Sequence, residues 1–123
     1  MKNTIIWFEI NVADLDRAKK FYDHVLQTNI RKEEMEGYPP MGIIPDEGVN
    51  GALVEDEEYE APEHSGVMLY FDGSSGINPY LERVEEAGGE VLVPRSFVNE
   101  SVGHWAAFSD LDGNLFAFYE PPQ

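Results

Sequence analysis

The sequence contains no cysteine and few basic residues, and both shortages narrow the possible functions. Without cysteine, the chain can form neither disulfide bonds nor thiolate ligands to a metal ion. Eight Lys and Arg residues stand against 24 Asp and Glu residues, which gives a formal net charge of −16. This charge repels phosphate backbones and anionic lipid, so we expect no nucleic-acid partner and no membrane partner. It also favours a neutral or cationic small-molecule ligand over an anionic one.

Long hydrophobic runs are also missing. No segment approaches the ~20 apolar residues of a membrane span, and the first residues lack the pattern of a signal peptide. At 123 residues the chain has the length of one domain with a single core. We therefore expect one soluble, cytoplasmic domain.

Glu9 is unusual in the first predicted strand, residues 5–12. This stretch alternates between an apolar face and a second face that carries Trp7, Glu9 and Asn11. An unpaired carboxylate is costly to bury. Glu9 is therefore expected to meet water in a cavity, a partner such as Arg95, or a cationic ligand.

The remaining elements form two similar series. In the first half, Asp14 predicts the N-cap of a helix over residues 15–27, and glycine and proline then separate three short strands at 30–35, 41–44 and 51–55. In the second half we expect a strand at 65–72, a helix capped by Asn78, a short strand at 90–94, a loop at 97–103, and a hairpin of 105–108 and 115–120. Each half reads strand, helix, three strands. This internal repeat indicates an α+β fold of two βαβββ modules, residues 1–60 and 61–123.

Three phrases of the sequence resemble the vicinal oxygen chelate superfamily, which contains glyoxalase I, bleomycin resistance proteins and extradiol dioxygenases. They are Glu9 to Tyr22 (EINVADLDRAKKFY), Tyr80 to Val91 (YLERVEEAGGEV) and Asp110 to Glu120 (DLDGNLFAFYE). Their order and separation extend the resemblance over nearly the whole chain. It implies curved mixed sheets around a cleft, and a homodimer by analogy with the family.

The resemblance also implies where a metal ion would be held in metal-using members. Counting from the shared phrases, three of the four ligand positions fall on Trp7, Gly66 and Ala117, and the fourth falls near Leu53 or Val54, with Glu55 the nearest carboxylate. None of the three offers the N or O donors that a divalent ion needs. We therefore expect no metal cofactor.

The cavity face would then be mostly aromatic and suited to a small organic molecule. Its expected ligand-binding residues are Trp7, Glu9, Gly66, Met68, Tyr70, His104, Ala117 and Tyr119. Alternatively, these aromatic residues only fill space between the modules.

A metal-dependent enzyme is the competing hypothesis. A displaced site of Glu9, His64 and His104 would suit Fe, Ni, Zn or Mn. The protein would then be a lyase, isomerase or dioxygenase in which Glu9 moves a proton. A catalytically silent interaction subunit is a third alternative.

Overall fold

The computed structural model describes residues 4–63 and 67–123. The chain divides into two compact units, one ending at Glu60 and the other beginning at Ala61. The first unit contains β1 (Trp7–Val12), α1 (Leu15–Leu26), β2 (Arg31–Glu33), β3 (Met41–Ile44) and β4 (Asn50–Glu55). The second contains β5 (Tyr70–Asp72), α2 (Ile77–Glu86), β6 (Glu90–Asn99), β7 (Gly103–Ser109) and β8 (Leu115–Glu120). This series of elements confirms the predicted α+β fold of two βαβββ modules.

Both units have the same sheet topology. Sheet A of the first unit has the order β1-β4-β3-β2, and sheet B of the second has the order β5-β8-β7-β6. In each sheet the first strand is parallel to the last, and the remaining pairs are antiparallel. The connection between the two parallel strands of each sheet consists of the helix and the two other strands, and the helix packs on one face of the sheet. We call the opposite face the open face.

The core of the first unit lies between α1 and sheet A. Helix α1 begins after Asp14, whose carboxylate accepts the amide hydrogen of Arg17 at 3.0 Å, as the predicted N-cap requires. Its buried stripe packs against β3 and β4. Gly51 lets β4 approach the ring of Phe8, because a Cβ at this position would collide with that ring.

The core of the second unit is an aromatic cluster on the helix side of sheet B. Phe71 and Phe108 contact each other and both Phe116 and Phe118, with ring centroids 5.1–6.3 Å apart. Tyr80 of α2 stacks on Phe118 at a centroid distance of 4.8 Å. Phe108 and Phe118 are fully buried. Burial of these rings, and of Ile77, Leu81 and Val84 of α2, stabilises the packing of α2 on the sheet.

A glutamate at the end of each closing strand binds the first amide of the module's helix. Glu55 accepts the amide hydrogen of Leu15 at 2.9 Å, and Glu120 accepts that of Ile77 at 2.9 Å. Free amides and the positive end of the helix dipole favour a carboxylate at this point. The internal repeat thus extends to the way each helix is joined to its sheet.

The largest differences between the structure and the sequence predictions lie in three elements of the second unit. Helix α2 begins after Gly76 and not after Asn78, so Asn78 is its second residue. Strand β6 continues through the predicted loop to Asn99, and only residues 100–102 connect it to β7. The predicted strand 65–72 is observed as Tyr70–Asp72, while residues 65 and 66 lie outside the described residues.

Helices α1 and α2 contain 12 and 10 residues, and within residues 4–63 and 67–123 no helix is long and apolar enough to cross a membrane.

Candidate functional site

The open face of sheet B carries a group of aromatic side chains. Tyr70 pairs with Ala117 across the parallel ladder, and Trp105 pairs with Tyr119 across the antiparallel one. Directly paired residues share a face of a sheet, so these four side chains lie on the side opposite α2. Tyr70 is 57% exposed, whereas Ala117 is fully buried beneath its neighbours.

These aromatic residues form most of a pocket with a volume of 560 Å³, which we call the aromatic pocket. It is lined by Tyr70, Val98, Val102, Trp105 and Tyr119. The Tyr119 hydroxyl donates a hydrogen bond to the Val102 carbonyl, which fixes the β6–β7 turn against β8. Asn99 shapes this turn, since its side-chain oxygen accepts the amide hydrogens of Ser101 and Val102 at 3.0 and 2.8 Å. The wall of the pocket is therefore held by hydrogen bonds as well as by packing.

His104 lies on the opposite face of sheet B from Trp105 and Tyr119. It pairs with Glu120 across the β7–β8 ladder, and Arg95 joins both residues. The Arg95 guanidinium donates two hydrogen bonds to Glu120, at 2.6 and 3.1 Å, and its Nη2 lies 3.3 Å from His104 Nδ1. The sequence analysis placed His104 on the same face as Tyr119, and the observed register differs from that placement.

The cluster of Arg95, His104 and Glu120 has an electrostatic role in the fold. Glu120 is buried, and its carboxylate binds both Arg95 and the first amide of α2. The hydrogen bonds from Arg95, followed by the one from the Ile77 amide, lower the pKa of Glu120 to about 2. The carboxylate is thus charged at neutral pH and links β6, β8 and α2. Arg95, which the sequence suggested as a partner of Glu9, is bound to Glu120.

Trp7 and Glu9 lie together on the open face of sheet A. The indole Nε1 of Trp7 donates a hydrogen bond to Glu9 Oε2 at 3.1 Å, and both residues are exposed. Across the parallel ladder, Trp7 pairs with Asn50 and Glu9 pairs with Ala52. The alternation in the sequence placed both side chains on this face.

The described positions do not fit the metal site that the resemblance implies. Trp7 has only an N–H, which is donated to Glu9, and Ala117 has no donor atom. Leu53 is buried on the helix side, Val54 lies on the open side, and Glu55 binds the helix α1 amide. Within the described part of the chain, no group of three or more His, Asp or Glu residues could hold a metal ion. Gly66 and His64 of the predicted sets lie outside the described residues.

Three residues of the aromatic pocket were not predicted, namely Val98, Val102 and Trp105. Val98 and Val102 fell in a stretch predicted to be a loop, and a loop has no alternation from which the direction of a side chain can be predicted. The signal for Trp105 was present, because a hairpin centred on residues 110–114 sets it opposite Tyr119. Met68, which was predicted for this face, is half-buried and precedes β5, so it lies outside the pocket lining.

Comparison with known families gives one match. Residues 4–118 match the family model described as the Glyoxalase/Bleomycin resistance protein/Dioxygenase superfamily. No curated protein matches the sequence.

Solved structures with the same fold cover nearly the whole chain. Hypothetical protein SA1046 from S. aureus is 28% identical, with a TM-score of 0.71 over 93% of this chain and 94% of that one. FosX from Listeria monocytogenes, a fosfomycin resistance protein solved with Mn(II) and 1S,2S-dihydroxypropylphosphonic acid, is 18% identical, with a TM-score of 0.73 over 98% and 94%. TnmS3, an antibiotic binding protein from Streptomyces sp. CB03234, is 21% identical, with a TM-score of 0.67 over 97% and 96%. At these identities, the last two show a shared fold only.

Proposed function

Because the chain belongs to the glyoxalase/bleomycin resistance protein/dioxygenase superfamily, we propose that it binds a small organic molecule in the aromatic pocket of sheet B. The observation that carries this proposal is the pocket itself, 560 Å³ in volume and lined by three aromatic and two aliphatic side chains. Such a volume and lining are typical of small-molecule sites. The antibiotic-binding protein TnmS3 has the same fold, which is consistent with this use of it.

The chemistry of the lining favours a planar ligand that is neutral or cationic. Tyr70, Trp105 and Tyr119 offer π faces, on which a ring can stack or a cation can rest. The described lining contains no Lys, Arg or His that could bind an anion. The net charge of −16 disfavours anions further. The Tyr119 hydroxyl donates its hydrogen to the Val102 carbonyl, so it can accept a hydrogen bond from a ligand but not donate one.

We also assign a supporting role in this site to Ala117, which was predicted from the sequence. Ala117 keeps the floor of the open face low beneath Tyr70, because a larger side chain there would rise into the pocket. Met68 lies outside the pocket lining and is not part of the proposed site, and Gly66 remains a prediction from the sequence.

Binding of fluorescent probes tests this proposal. Neutral N-phenylnaphthylamine and cationic proflavine are titrated into the protein, with anionic anilinonaphthalene sulfonate as the comparison. We expect the first two to bind and the third to bind roughly tenfold more weakly or not at all, since no basic residue meets the sulfonate. Trp105→Ala should weaken binding of the first two probes by roughly tenfold or more, because it removes the largest π surface.

Phe97→Ala provides the matched control for Trp105→Ala. Phe97 lies on the same β6–β7 hairpin, is 62% exposed, and pairs with His104 on the opposite face of the sheet. Its removal should leave probe affinity unchanged. Equal losses for both variants, or equal affinity for all three probes, would indicate nonspecific adsorption and contradict the proposal.

We propose further that this binding uses no resident metal ion, because Trp7 and Ala117 replace donors at the positions implied by the family. Elemental analysis before and after incubation with Fe(II), Ni, Zn and Mn, with the melting temperature measured in parallel, checks this. We expect neither a stoichiometric metal nor a shift in melting temperature. About one bound equivalent that raises the melting temperature, and is lost in Glu9→Ala, His64→Ala or His104→Ala, would instead support a metal-dependent lyase, isomerase or dioxygenase.

A homodimer is proposed by analogy with the family. Large apolar side chains are exposed on both units, among them Trp7, Tyr70 and Phe97. Light scattering coupled to size exclusion should give twice the chain mass of 13.9 kDa. A mass equal to one chain at micromolar concentration would contradict this assignment.

A further inference from the structure

Glu9 lies on the open face of sheet A, and the side chain that binds its carboxylate is neutral. Its Oε2 accepts the indole hydrogen of Trp7 at 3.1 Å. Directly across the ladder lies Ala52, and the neighbouring positions on β4 are Asn50 and Val54, which carry no charge. Glu9 is therefore oriented by a side chain that leaves its negative charge in place.

Several basic side chains of the first unit are paired with other acids. Lys19 binds Asp23 at 2.5 Å, Arg31 binds Glu33 at 2.8 Å, and Lys32 binds Asp16 at 2.7 Å. Glu9 takes part in none of the ion pairs of the described residues. The other residues of β1 are Trp, Phe, Ile, Asn and Val, so this strand presents one charge that has no ion-pair partner among residues 4–63 and 67–123.

Trp7 provides the second half of a recognition surface. It is 43% exposed, and its N–H edge is turned toward Glu9. A cation beside this pair can therefore contact the aromatic ring and the carboxylate together. Quaternary and other organic ammonium groups are recognised in proteins by this combination of π surface and negative charge.

We propose that Trp7 and Glu9 form a binding site for an organic ammonium group on the open face of sheet A. The indole hydrogen bond holds the carboxylate in place, so little conformational freedom is lost when the cation binds. This site does not include the aromatic pocket of sheet B, so the proposal is independent of the proposed function.

Choline and its neutral tert-butyl analogue provide the test, because they differ in charge and hardly in shape. Binding to the full chain is followed by ¹H–¹⁵N NMR, in which Trp7 and Trp105 give the two indole signals, assigned with Trp7→Phe. Choline should move the Trp7 signal in a saturable way, and the analogue should bind roughly tenfold more weakly. Glu9→Gln should lower choline affinity by a similar factor.

Glu47→Gln is the matched control, because Glu47 is an exposed acid of the same unit and its replacement changes the net charge by the same amount. It should leave choline affinity unchanged. Equal affinity for choline and its analogue, equal effects of the two Gln variants, or no saturable shift of the Trp7 signal would each overturn the proposal. Melting curves of the variants confirm that they are folded, and an intact response of Trp105 to N-phenylnaphthylamine would show that the aromatic pocket is unaffected.

Discussion

At the scale of single residues, protonation of the Glu120 carboxylate should destabilise the second unit in acid. Its pKa of about 2 lies below the ordinary value of 4.5, because Arg95 and the Ile77 amide bind the charged form. A carboxyl group whose pKa is lowered by folding stabilises the protein above its unfolded pKa and loses that contribution as the pH falls through the folded one. The contribution of Glu120 should therefore be complete above about pH 4.5 and should disappear between pH 4.5 and 2. Urea unfolding across this range measures it.

Glu120→Gln should lower the free energy of unfolding at pH 7 by about 1.5–3 kcal/mol, the usual value for hydrogen bonds to a charged group. The difference from the wild type should shrink toward pH 2, because Glu120 becomes protonated as the pH falls to its folded pKa. Glu82→Gln, on the exposed surface of α2, is the control and should change the stability little. A constant difference between Glu120→Gln and the wild type from pH 7 to pH 2 would show that the ion pair is not responsible.

For single residues, the alternation of side chains along the sequence predicted which face of the sheet each one occupies wherever a strand was regular. It placed Trp7 and Glu9 on one face and set Tyr119 and Glu120 on opposite faces, as the structure shows. The facing of His104 was mispredicted because His104 was expected to precede β7, although the hairpin register that pairs Trp105 with Tyr119 also sets His104 opposite Glu120. That strand begins at Gly103, inside the stretch predicted to be a loop.

At the scale of secondary-structure elements, the conformation of the β6–β7 hairpin depends on Gly103. Gly103 has φ +96°, and an added Cβ would collide with the backbone of Glu120 and Pro121. Gly113, in the β7–β8 turn, has φ +82° but meets only the Ala61 Cβ, at 3.6 Å. Gly103→Ala should therefore destabilise the protein more than Gly113→Ala, whose cost is mainly the ~1–2 kcal/mol of a left-handed residue. Chemical denaturation of the two variants gives the comparison.

The same pair of variants connects this hairpin to binding. Gly103→Ala displaces the chain next to Val102, so it should also weaken binding of N-phenylnaphthylamine, whereas Gly113→Ala should not. Equal stability and equal probe affinity of the two variants would contradict the role given to Gly103.

Two elements were mispredicted because interactions distant in sequence decide them. Strand β6 changes register between residues 91 and 93, 93 and 96, and 97 and 99, so its side chains do not alternate regularly and its pattern does not indicate a strand. As the outermost strand of sheet B, it also accommodates Pro94, which would be unfavourable in a central strand. Helix α2 begins before Asn78 because Glu120 accepts the amide hydrogen of Ile77, which lies 43 residues earlier in the chain.

At the scale of the whole molecule, the internal repeat was the strongest prediction from sequence. The order of strands and helices is set by turn residues and periodicity, which are local, and both modules follow it. The detailed pocket lining was predicted less completely, because Val98 and Val102 reach it through the irregular end of β6.

The net charge of −16 predicts a salt dependence that distinguishes long-range electrostatic attraction of a cationic ligand from its direct contacts in the aromatic pocket. Cationic proflavine should bind the aromatic pocket several-fold more weakly when salt is raised from about 20 mM to about 500 mM, because the screening length falls well below the protein's size. Neutral N-phenylnaphthylamine should bind equally well or slightly better in high salt, since only apolar contact holds it. Titrations at the two salt concentrations measure both effects. Equal salt dependence of the two probes would mean that the acidic surface does not influence the pocket, and the preference for cations would then have to be assigned to the aromatic faces alone.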